Sequence, residues 1–457
     1  MTSQFSPVSA LKHRNDNHRL RSIAKVVENL LSDARATVKT YPSLESLRKN
    51  YPEWKKGAFG RCGSIKSRST LCLWIEENNQ IEAIKLERES YPFSKRELAL
   101  FDSFEKALDG LFSNSKMKVS QNANRIGTKY ALGNLLVAHH VRGTAASNFW
   151  SISLMLDELQ ELALLQYEGR PCNSGFIFLS QPQDQLHQIE QAGFFIDRFS
   201  ENVELVEQFF EGTISHRYVD GRNSFYVVDN QRRIYGIARI KNPGDFFIYD
   251  RSALFHLDRL LEGQNGRMVV AFVGRNKDVL VKAKGKAIFR WNRLYWKAID
   301  LDVMRDIISD QTTLPGHEVE ALLACLMTCS DLRYGTLIVV VDDGTRSPTS
   351  IGKIDVSALR SEVIGINRGK KLSEIISNGS AIGILTADGS TTLDGFGTLL
   401  SSGDILDLSE GPELRPQGGG RTQAAQTASI FGLAIKVSED GPISFFRNGK
   451  KLVEFDT

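Results

Sequence analysis

Two short stretches in the last third of the chain carry the residue types best suited to chemistry. The first is the Asp388-Gly389 pair, which the sequence predicts in a loop leading into a short strand. The second is a glycine run, 418–420, followed by Arg421, a pattern typical of a loop that opens a helix. The free N–H groups and positive dipole end of such a helix suit phosphate. A nearby carboxylate can hold a divalent metal or orient an attacking hydroxyl, so the two stretches together predict phosphoryl or nucleotidyl transfer.

This pair of motifs resembles the diadenylate cyclase domain. Asp388-Gly389-Ser390 stands for the family's Asp-Gly-Ala triplet, and Gly419 to Ala425 for its Gly-Thr-Arg-His-Arg-Ala-Ala loop. Ala434 to Asp440 matches a late strand that ends in Val-Ser-Glu-Glu. The resemblance covers roughly 315–451, a third of the chain. Two positions depart from the pattern, because the family's His and second Arg are Thr422 and Gln423 here.

The resemblance implies a metal-dependent nucleotidyltransferase that joins two nucleoside triphosphates and releases pyrophosphate. The default substrate is ATP and the default product cyclic di-AMP. Asp388 would bind Mg²⁺ or Mn²⁺ and help activate a 3′-hydroxyl for attack on an α-phosphate, and Glu439 would be a second catalytic residue near the metal or polyphosphate. The implied nucleotide contacts are Gly389, Ser390, Gly418, Gly419, Gly420, Arg421, Thr422, Gln423 and Ser438. Because each subunit of the family supplies one nucleotide, a homo-oligomer is also implied.

The altered motif leaves an alternative open, a nucleotide-binding sensor or regulator that has lost catalysis. Thr422 and Gln423 can donate hydrogen bonds but add no charge, and losing a charged, bidentate phosphate contact costs a few kcal/mol. Candidates for restoring that charge are Arg346, Arg368, Lys370 and Arg415. We also hypothesise a role in antiviral defence, because the motif is altered and the region that precedes this domain in the chain is unusual.

The overall composition narrows the class of protein. The 457 residues predict two or three domains. With 57 basic and 54 acidic side chains, the charge is too balanced to favour a nucleic-acid or membrane surface. No apolar run approaches the roughly 20 residues that span a bilayer. Cys325 and Cys329 are one helical turn apart, a spacing that metal sites use, but no second Cys or His pair matches them. We therefore expect buried thiols and a cytoplasmic protein.

The pattern of elements predicts an α+β protein. Residues 1–39 are expected to form a tail and a helix. Residues 40–300 are expected to form an α+β sensor-like regulatory region, either as one domain or as two subdomains with a break near 170. Residues 315–457 are expected to form the diadenylate-cyclase-like domain, a mixed sheet flanked by helices.

Individual elements can be predicted from local patterns. Amphipathic spacing predicts helices over 20–38, 95–112, 149–166 and 203–211, and apolar runs predict strands over 175–179 and 335–341. Residues 371–384 are expected to form a helix interrupted at Asn378-Gly379. The adjacent His139 and His140 point in different directions on either a helix or a strand, so we expect structural roles for them. An aromatic hairpin with Trp291 and Trp296 is expected in a core.

Overall fold

The structure is a computed structural model, and its residues form two compact units. It describes residues 21–50, 62–66, 69–77, 80–113, 125–142, 149–167, 170–180, 182–205, 209, 217–241, 260–261, 268–274, 276–342, 347–348, 350–353, 358–410 and 419–457. Unit 1 comprises Met1–Glu161 and Phe289–Ala298, and unit 2 comprises Leu162–Ile288 and Ile299–Thr457. Helices and mixed or antiparallel sheets occur together, which confirms the predicted α+β class.

Unit 1 contains a four-stranded antiparallel sheet and five helices in its described part. The strands are β1 (Arg35–Tyr41), β2 (Cys62–Lys66), β3 (Thr70–Glu77) and β4 (Gln80–Glu87), paired in the order β1-β4-β3-β2. The helices are α1 (21–30), α2 (Leu44–Asn50), α3 (Lys95–Ser113), α4 (Arg125–Arg142) and α5 (Phe149–Leu164). One face of the sheet buries Trp74 and Cys72 against Leu47 of α2, and this burial stabilises the layer.

The first predicted helix is correct only in its first half. Residues 21–30 are helical, but Arg35–Tyr41 form β1, whose seven residues pair with β4 from Arg35↔Glu87 to Tyr41↔Ile81. Pairing along a sheet edge outweighs the weak helical pattern of this segment. The predicted helix over 95–112 is confirmed as α3, and a reciprocal capping box starts it. In that box the Glu97 amide donates to Ser94 Oγ at 3.0 Å and the Ser94 amide to Glu97 Oε2 at 2.8 Å.

The two residues expected in a hydrophobic core lie there. Trp291 and Trp296 are each 3% exposed. His140 Nδ1 lies 2.9 Å from Ser103 Oγ and the His140 ring packs edge-on against Phe289, which agrees with a structural role.

The first half of unit 2 is built on antiparallel strands with one parallel pair. Six strands are hydrogen-bonded in the order β12-β11-β7-β9-β10-β8, and β7 runs parallel to β9. The elements of this part of the chain are β5 (Gln166–Tyr167), β6 (Arg170–Pro171), β7 (Gly175–Leu179), α6 (Pro182–Gln191), β8 (Phe194–Glu204), β9 (Ser224–Asp229), β10 (Arg233–Ile240), β11 (Val269–Val273) and β12 (Val279–Ala283). The next two strands in sequence, β13 (Ile288–Trp291) and β14 (Trp296–Ile299), fall mostly within unit 1. Val203 and Glu204 end β8 and pair with β10, so the helix predicted to begin at Val203 is wrong there.

The second half of unit 2 is a seven-stranded mixed sheet flanked by helices. Its strand order is β16-β18-β17-β15-β19-β20-β21. The strands are β15 (Thr336–Val341), β16 (Ser350–Lys353), β17 (Ser390–Leu393), β18 (Leu399–Leu406), β19 (Gly432–Val437), β20 (Ile443–Arg447) and β21 (Lys450–Phe455). The helices are α7 (Leu301–Gln311), α8 (Gly316–Leu332), α9 (Ala358–Asn367), α10 (Leu372–Ser377), α11 (Ala381–Leu385) and α12 (Gly420–Ala428). The interruption predicted at Asn378-Gly379 is confirmed, because α10 ends there and Gly379 has φ +78°.

Candidate functional site

Strand pairing brings three separate segments to one edge of the C-terminal sheet. β15 and β17 are parallel, with Leu337 opposite Ser390, so both strands begin at this edge. β19 is antiparallel to β15, with Val437 opposite Thr336, so β19 ends there. Asp388-Gly389, Gly335 and Ser438-Glu439 therefore lie together, although they are distant in sequence.

The Asp-Gly pair makes the tight entry into β17 that its sequence predicts. Gly389 has φ +100°, and a Cβ at this position would lie 2.6 Å from the Asp404 carbonyl oxygen on β18. Only glycine fits both constraints. Asp388 is exposed, whereas Ser390 is buried and its hydroxyl donates to the Asp404 carbonyl at 3.2 Å. Asp388 is thus available to a ligand, and the Ser390 hydroxyl is committed to the sheet.

The glycine loop leads into α12 as predicted, with Gly419 as the extended N-cap residue. No described atom lies within 4 Å of a Cβ built on Gly419 or Gly420, so no described residue blocks the approach to this helix start. Gly418 lies outside the described residues. The opposite face of the helix is fixed by Ala425 and Ala428, which pack into a buried cluster with residues of β15 and β19. The sheet therefore holds the N-terminal end of α12 at the edge where β15 begins.

Arg421, in the first turn of α12, connects the two candidate catalytic carboxylates. Its Nη1 donates to Glu439 Oε1 at 2.8 Å, and its Nη2 lies 3.9 Å from Asp388 Oδ1. The side chains of Asp388 and Glu439 are 66% and 70% exposed, so solvent screens these ion pairs. Such pairs contribute little stability, but they leave both carboxylates and the guanidinium open to a ligand.

Gly335, which precedes β15, makes room for this arrangement and was not among the predicted site residues. A Cβ at Gly335 would overlap Arg421 Nη1, and it would lie 2.8 Å from Arg421 Cζ and 2.9 Å from Glu439 Cγ. The guanidinium therefore lies directly over the Gly335 backbone. A glycine at the start of the predicted apolar strand 335–341 was the available sequence signal, but nothing local linked it to Arg421.

The structure places a lysine beside one of the two departures from the family pattern. Lys436 of β19 donates from Nζ to Thr422 Oγ1 at 3.0 Å, and both side chains are half-buried. Lys436 lies on the same face of β19 as Ala434, the face that α12 covers. A single lysine within the apolar run 432–437 was a usable sequence signal. A positive charge therefore lies next to Thr422, and Gln423 follows in the same turn.

Of the four basic residues expected to restore charge, the two that the structure describes are not brought to this edge. The Lys370 carbonyl accepts from the Leu399 amide, and Leu399 pairs with Leu393, where β17 ends. Lys370 and the nearby Arg368 therefore lie toward the other end of β17. Arg346 and Arg415 lie outside the described residues.

The last predicted contact, Ser438, belongs to a turn that presents Glu439. The Ser438 amide donates to the Pro442 carbonyl at 2.8 Å, and the Gly441 amide donates to the Ser438 carbonyl at 2.9 Å. The Ser438 hydroxyl lies 3.5 Å from the Asp440 amide nitrogen. Ser438 thus shapes the turn, and Glu439 is exposed at its tip.

The donor atoms of the site are hard oxygens. Asp388 and Glu439 supply carboxylates, and Mg²⁺ is commonly held by one or two carboxylates together with substrate phosphates and water. Within the described ranges, no three His, Cys, Asp or Glu side chains cluster in a way that could hold a metal ion. The site therefore fits a metal bound jointly with phosphate better than a cage made only of protein ligands.

Comparisons with known proteins give little on identity. No protein family matches the sequence, and no curated protein matches it. One solved structure, described as the crystal structure of a hypothetical membrane spanning protein from Bacillus cereus, is 20% identical to this chain. The match covers 34% of this chain and 69% of that one, with a TM-score of 0.24. None of the helices in the described part of this chain is long and apolar enough to cross a membrane.

Proposed function

We propose that the C-terminal half of unit 2 is a metal-dependent nucleotidyltransferase that condenses two nucleoside triphosphates, ATP by default, into a dinucleotide. The observation that carries the proposal is the position of Arg421. Its guanidinium lies between Asp388 and Glu439, at the first turn of a helix that a glycine loop opens. This is a phosphate-binding cation beside a pair of metal-binding carboxylates, the combination that transfer at an α-phosphate needs.

The phosphate contacts would come from α12 and the strand beneath it. Arg421 can form two parallel hydrogen bonds to phosphate oxygens once the triphosphate competes for its guanidinium. No described residue crowds Gly419 or Gly420, so a phosphate could approach the N–H groups of the helix start there. Lys436 adds a second cation, with the Thr422 hydroxyl between its Nζ and the helix turn.

The carboxylates would hold Mg²⁺ or Mn²⁺ together with the nucleotide. Such an ion, when bound, neutralises phosphate charge and lowers the pKa of a hydroxyl near it. Asp388 lies at the tip of the turn into β17, where its carboxylate can orient the 3′-hydroxyl of a nucleotide. Glu439 faces it across Arg421 and would lie near the polyphosphate.

The bond changes require two nucleotides to meet. The 3′-hydroxyl of one nucleotide gives its proton to the Asp388 carboxylate as its oxygen forms a bond to the α-phosphorus of the other. The α–β phosphoanhydride bond breaks, and pyrophosphate leaves. A second, reciprocal step would close a cyclic dinucleotide with loss of a second pyrophosphate. One site holds one nucleotide in this scheme, so the proposal includes a homo-oligomer in which two sites face each other.

The proposed setting is the cytoplasm, where ATP is available. The buried cysteines Cys72, Cys172, Cys325 and Cys329 agree with a reducing compartment. A role in antiviral defence stays a hypothesis, and a gene neighbourhood of housekeeping genes alone would count against it.

The decisive experiment incubates the full chain with each ribo- and deoxyribonucleoside triphosphate in Mg²⁺ or Mn²⁺ and identifies products by mass spectrometry. A dinucleotide and pyrophosphate are expected from the wild type. The Asp388→Asn variant should make at least about 100-fold less, because a positioned carboxylate contributes on that order to general base catalysis. Asp310→Asn, which changes an exposed carboxylate on α7, is the matched control and should keep full turnover.

The second candidate, a nucleotide-binding sensor without turnover, is favoured by one observation. Thr422 and Gln423 carry no charge, so the site offers fewer cations than the family pattern. Tight nucleotide binding that Arg421→Ala abolishes, with no product from any triphosphate, would establish the sensor. Absence of both binding and turnover would reject both candidates.

A further inference from the structure

Arg333 occupies a backbone conformation that usually favours a different residue type. It follows α8 as the C-cap residue with φ 59° and ψ 37°, and its amide donates to the Cys329 and Ser330 carbonyls. Glycine or asparagine is usual at such a left-handed position, because a larger side chain adds strain. An arginine here indicates that its side chain makes contacts that offset this cost.

The Arg333 guanidinium joins two turns of unit 2. Its Nη2 donates to Asp278 Oδ2 at 2.9 Å, and its Nη1 donates to the Asp440 carbonyl. Asp278 is 2% exposed and lies in the turn between β11 and β12. From the same turn, the Asn276 amide group donates to the Asp331 carbonyl at the end of α8. Because the Asp278 carboxylate is buried, removal of the guanidinium would leave a buried charge with less compensation.

The other turn carries Glu439 of the candidate site. Asp440 follows Glu439 directly, so the bond from Arg333 holds the backbone next to that carboxylate. Gly441 completes the turn with φ +108°, and a Cβ there would overlap Arg333 Nη1. The absence of a side chain at Gly441 thus lets the guanidinium reach the Asp440 carbonyl. A continuous set of contacts runs from Asp278 through Arg333 and the 438–441 turn to Arg421.

We infer that Arg333 is a positioning residue, which fixes the Glu439 carboxylate for nucleotide chemistry and makes its position depend on the β11–β12 turn. The inference rests on the proposed function for its catalytic meaning, although the mechanical link stands on contacts alone. Through this link, movement of the β11–β12 turn, which precedes the C-terminal sheet in the chain, would change the position of Glu439. A ligand or partner that displaces this turn would change turnover without touching the nucleotide.

Hydrogen–deuterium exchange of the full chain tests the link without any nucleotide. Arg333→Asn is the variant of choice, because asparagine tolerates the left-handed backbone while the guanidinium is removed. Arg333→Asn and Asp278→Asn are each expected to speed amide exchange in residues 438–441 about tenfold or more, with the amides of β17 unchanged. Arg447→Met is the matched control, since it breaks the paired contacts of Arg447 with Asp342 in the same sheet, and it should leave 438–441 unchanged.

A double-mutant cycle then tests the catalytic meaning. In a wild-type background Arg333→Asn should lower kcat about tenfold with little change in KM, whereas in a Glu439→Gln background it should have almost no further effect. Additive effects would overturn the positioning role, because they would show that Arg333 acts on stability alone. Unchanged exchange at 438–441, or equal acceleration throughout unit 2, would overturn the link itself. If the wild type neither binds nor converts nucleotides, the proposed function fails, and the exchange result still decides the link.

Discussion

At the scale of single residues, the site depends on where one guanidinium is held. Arg421 contacts Glu439 and approaches Asp388 only because Gly335 presents no side chain beneath it. The Arg421 ion pairs are exposed, so they add little to folding stability. A contribution to folding stability therefore does not explain this cluster, and we propose that it binds a ligand.

Replacing Gly335 with alanine should displace Arg421 without removing it. A Cβ would overlap the guanidinium, which is the mobile end of a long side chain, so the fold should survive and the phosphate contact should not. We expect nucleotide affinity, measured with a fluorescent ATP analogue, to fall about tenfold or more. Gly365→Ala on α9 is the control, since a Cβ there meets open space, and it should bind normally. Normal binding by Gly335→Ala would show that Arg421 does not contact the nucleotide.

Lys436 should contribute to triphosphate binding. Its ammonium lies beside Thr422 at the positive end of α12, where a cation is unfavourable unless an anion binds there. We expect Lys436→Met to weaken binding of inorganic tripolyphosphate, measured by calorimetry, by about tenfold, and Lys436→Arg to weaken it less. Lys451→Met on β21 is the control. If Lys436→Met and Lys451→Met bind alike, the lysine is structural.

At the scale of elements, the turn before β9 shows how local hydrogen bonds fix the start of a strand. Asp220 caps the turn before β9, where Oδ1 accepts from the amides of Arg222, Asn223 and Ser224 and from the Ser224 hydroxyl. Burial alone would raise the pKa of Asp220, but these donors outweigh it and hold the pKa below its ordinary value of 3.8. The turn is thus stabilised by an ionised carboxylate.

The lowered pKa predicts a specific dependence of stability on pH. Because the folded-state pKa lies below the unfolded one, the stabilisation is complete above about pH 4 and is lost as the pH falls through the folded value. Asp220→Asn should therefore lower the free energy of unfolding at pH 7 by about 1–3 kcal/mol, which thermal unfolding would show as a lower midpoint temperature. The difference in stability from wild type should shrink near pH 3. Asp310→Asn should show no such convergence. A difference that stays constant across this pH range would assign the effect to packing.

At the scale of the whole molecule, the proposed reaction needs more than one chain. A single site at the edge of the C-terminal sheet holds one triphosphate in the scheme above, and the attacking hydroxyl must come from a second nucleotide. Turnover per chain should therefore fall on dilution. The midpoint of this fall should match the protein concentration at which light scattering shows that the oligomer dissociates. Binding of a single nucleotide should not change over the same range. Turnover that is independent of protein concentration, in a chain that is monomeric throughout, would exclude the facing-site arrangement.

The sequence by itself determined those features that depend on neighbouring residues. The helix at α3, the strand at β7, the interruption at Asn378-Gly379 and the glycine entry into β17 all follow from periodicity, capping and turn chemistry within a few positions. The same local rules failed at β1 and at the end of β8, where pairing with distant strands outweighed helical spacing.

Only the tertiary structure decided the contacts that make the candidate site. Thr422 and Lys436 are 14 positions apart, and Arg333 and Asp440 are 107 apart. Their meeting depends on β15 lying between a parallel β17 and an antiparallel β19, which brings two strand starts and one strand end to the same edge. No local pattern encodes that pairing, because strand order is set by which faces of the elements bury one another. The sequence therefore predicted which residues are suited to chemistry, and the sheet determined which of them lie close together.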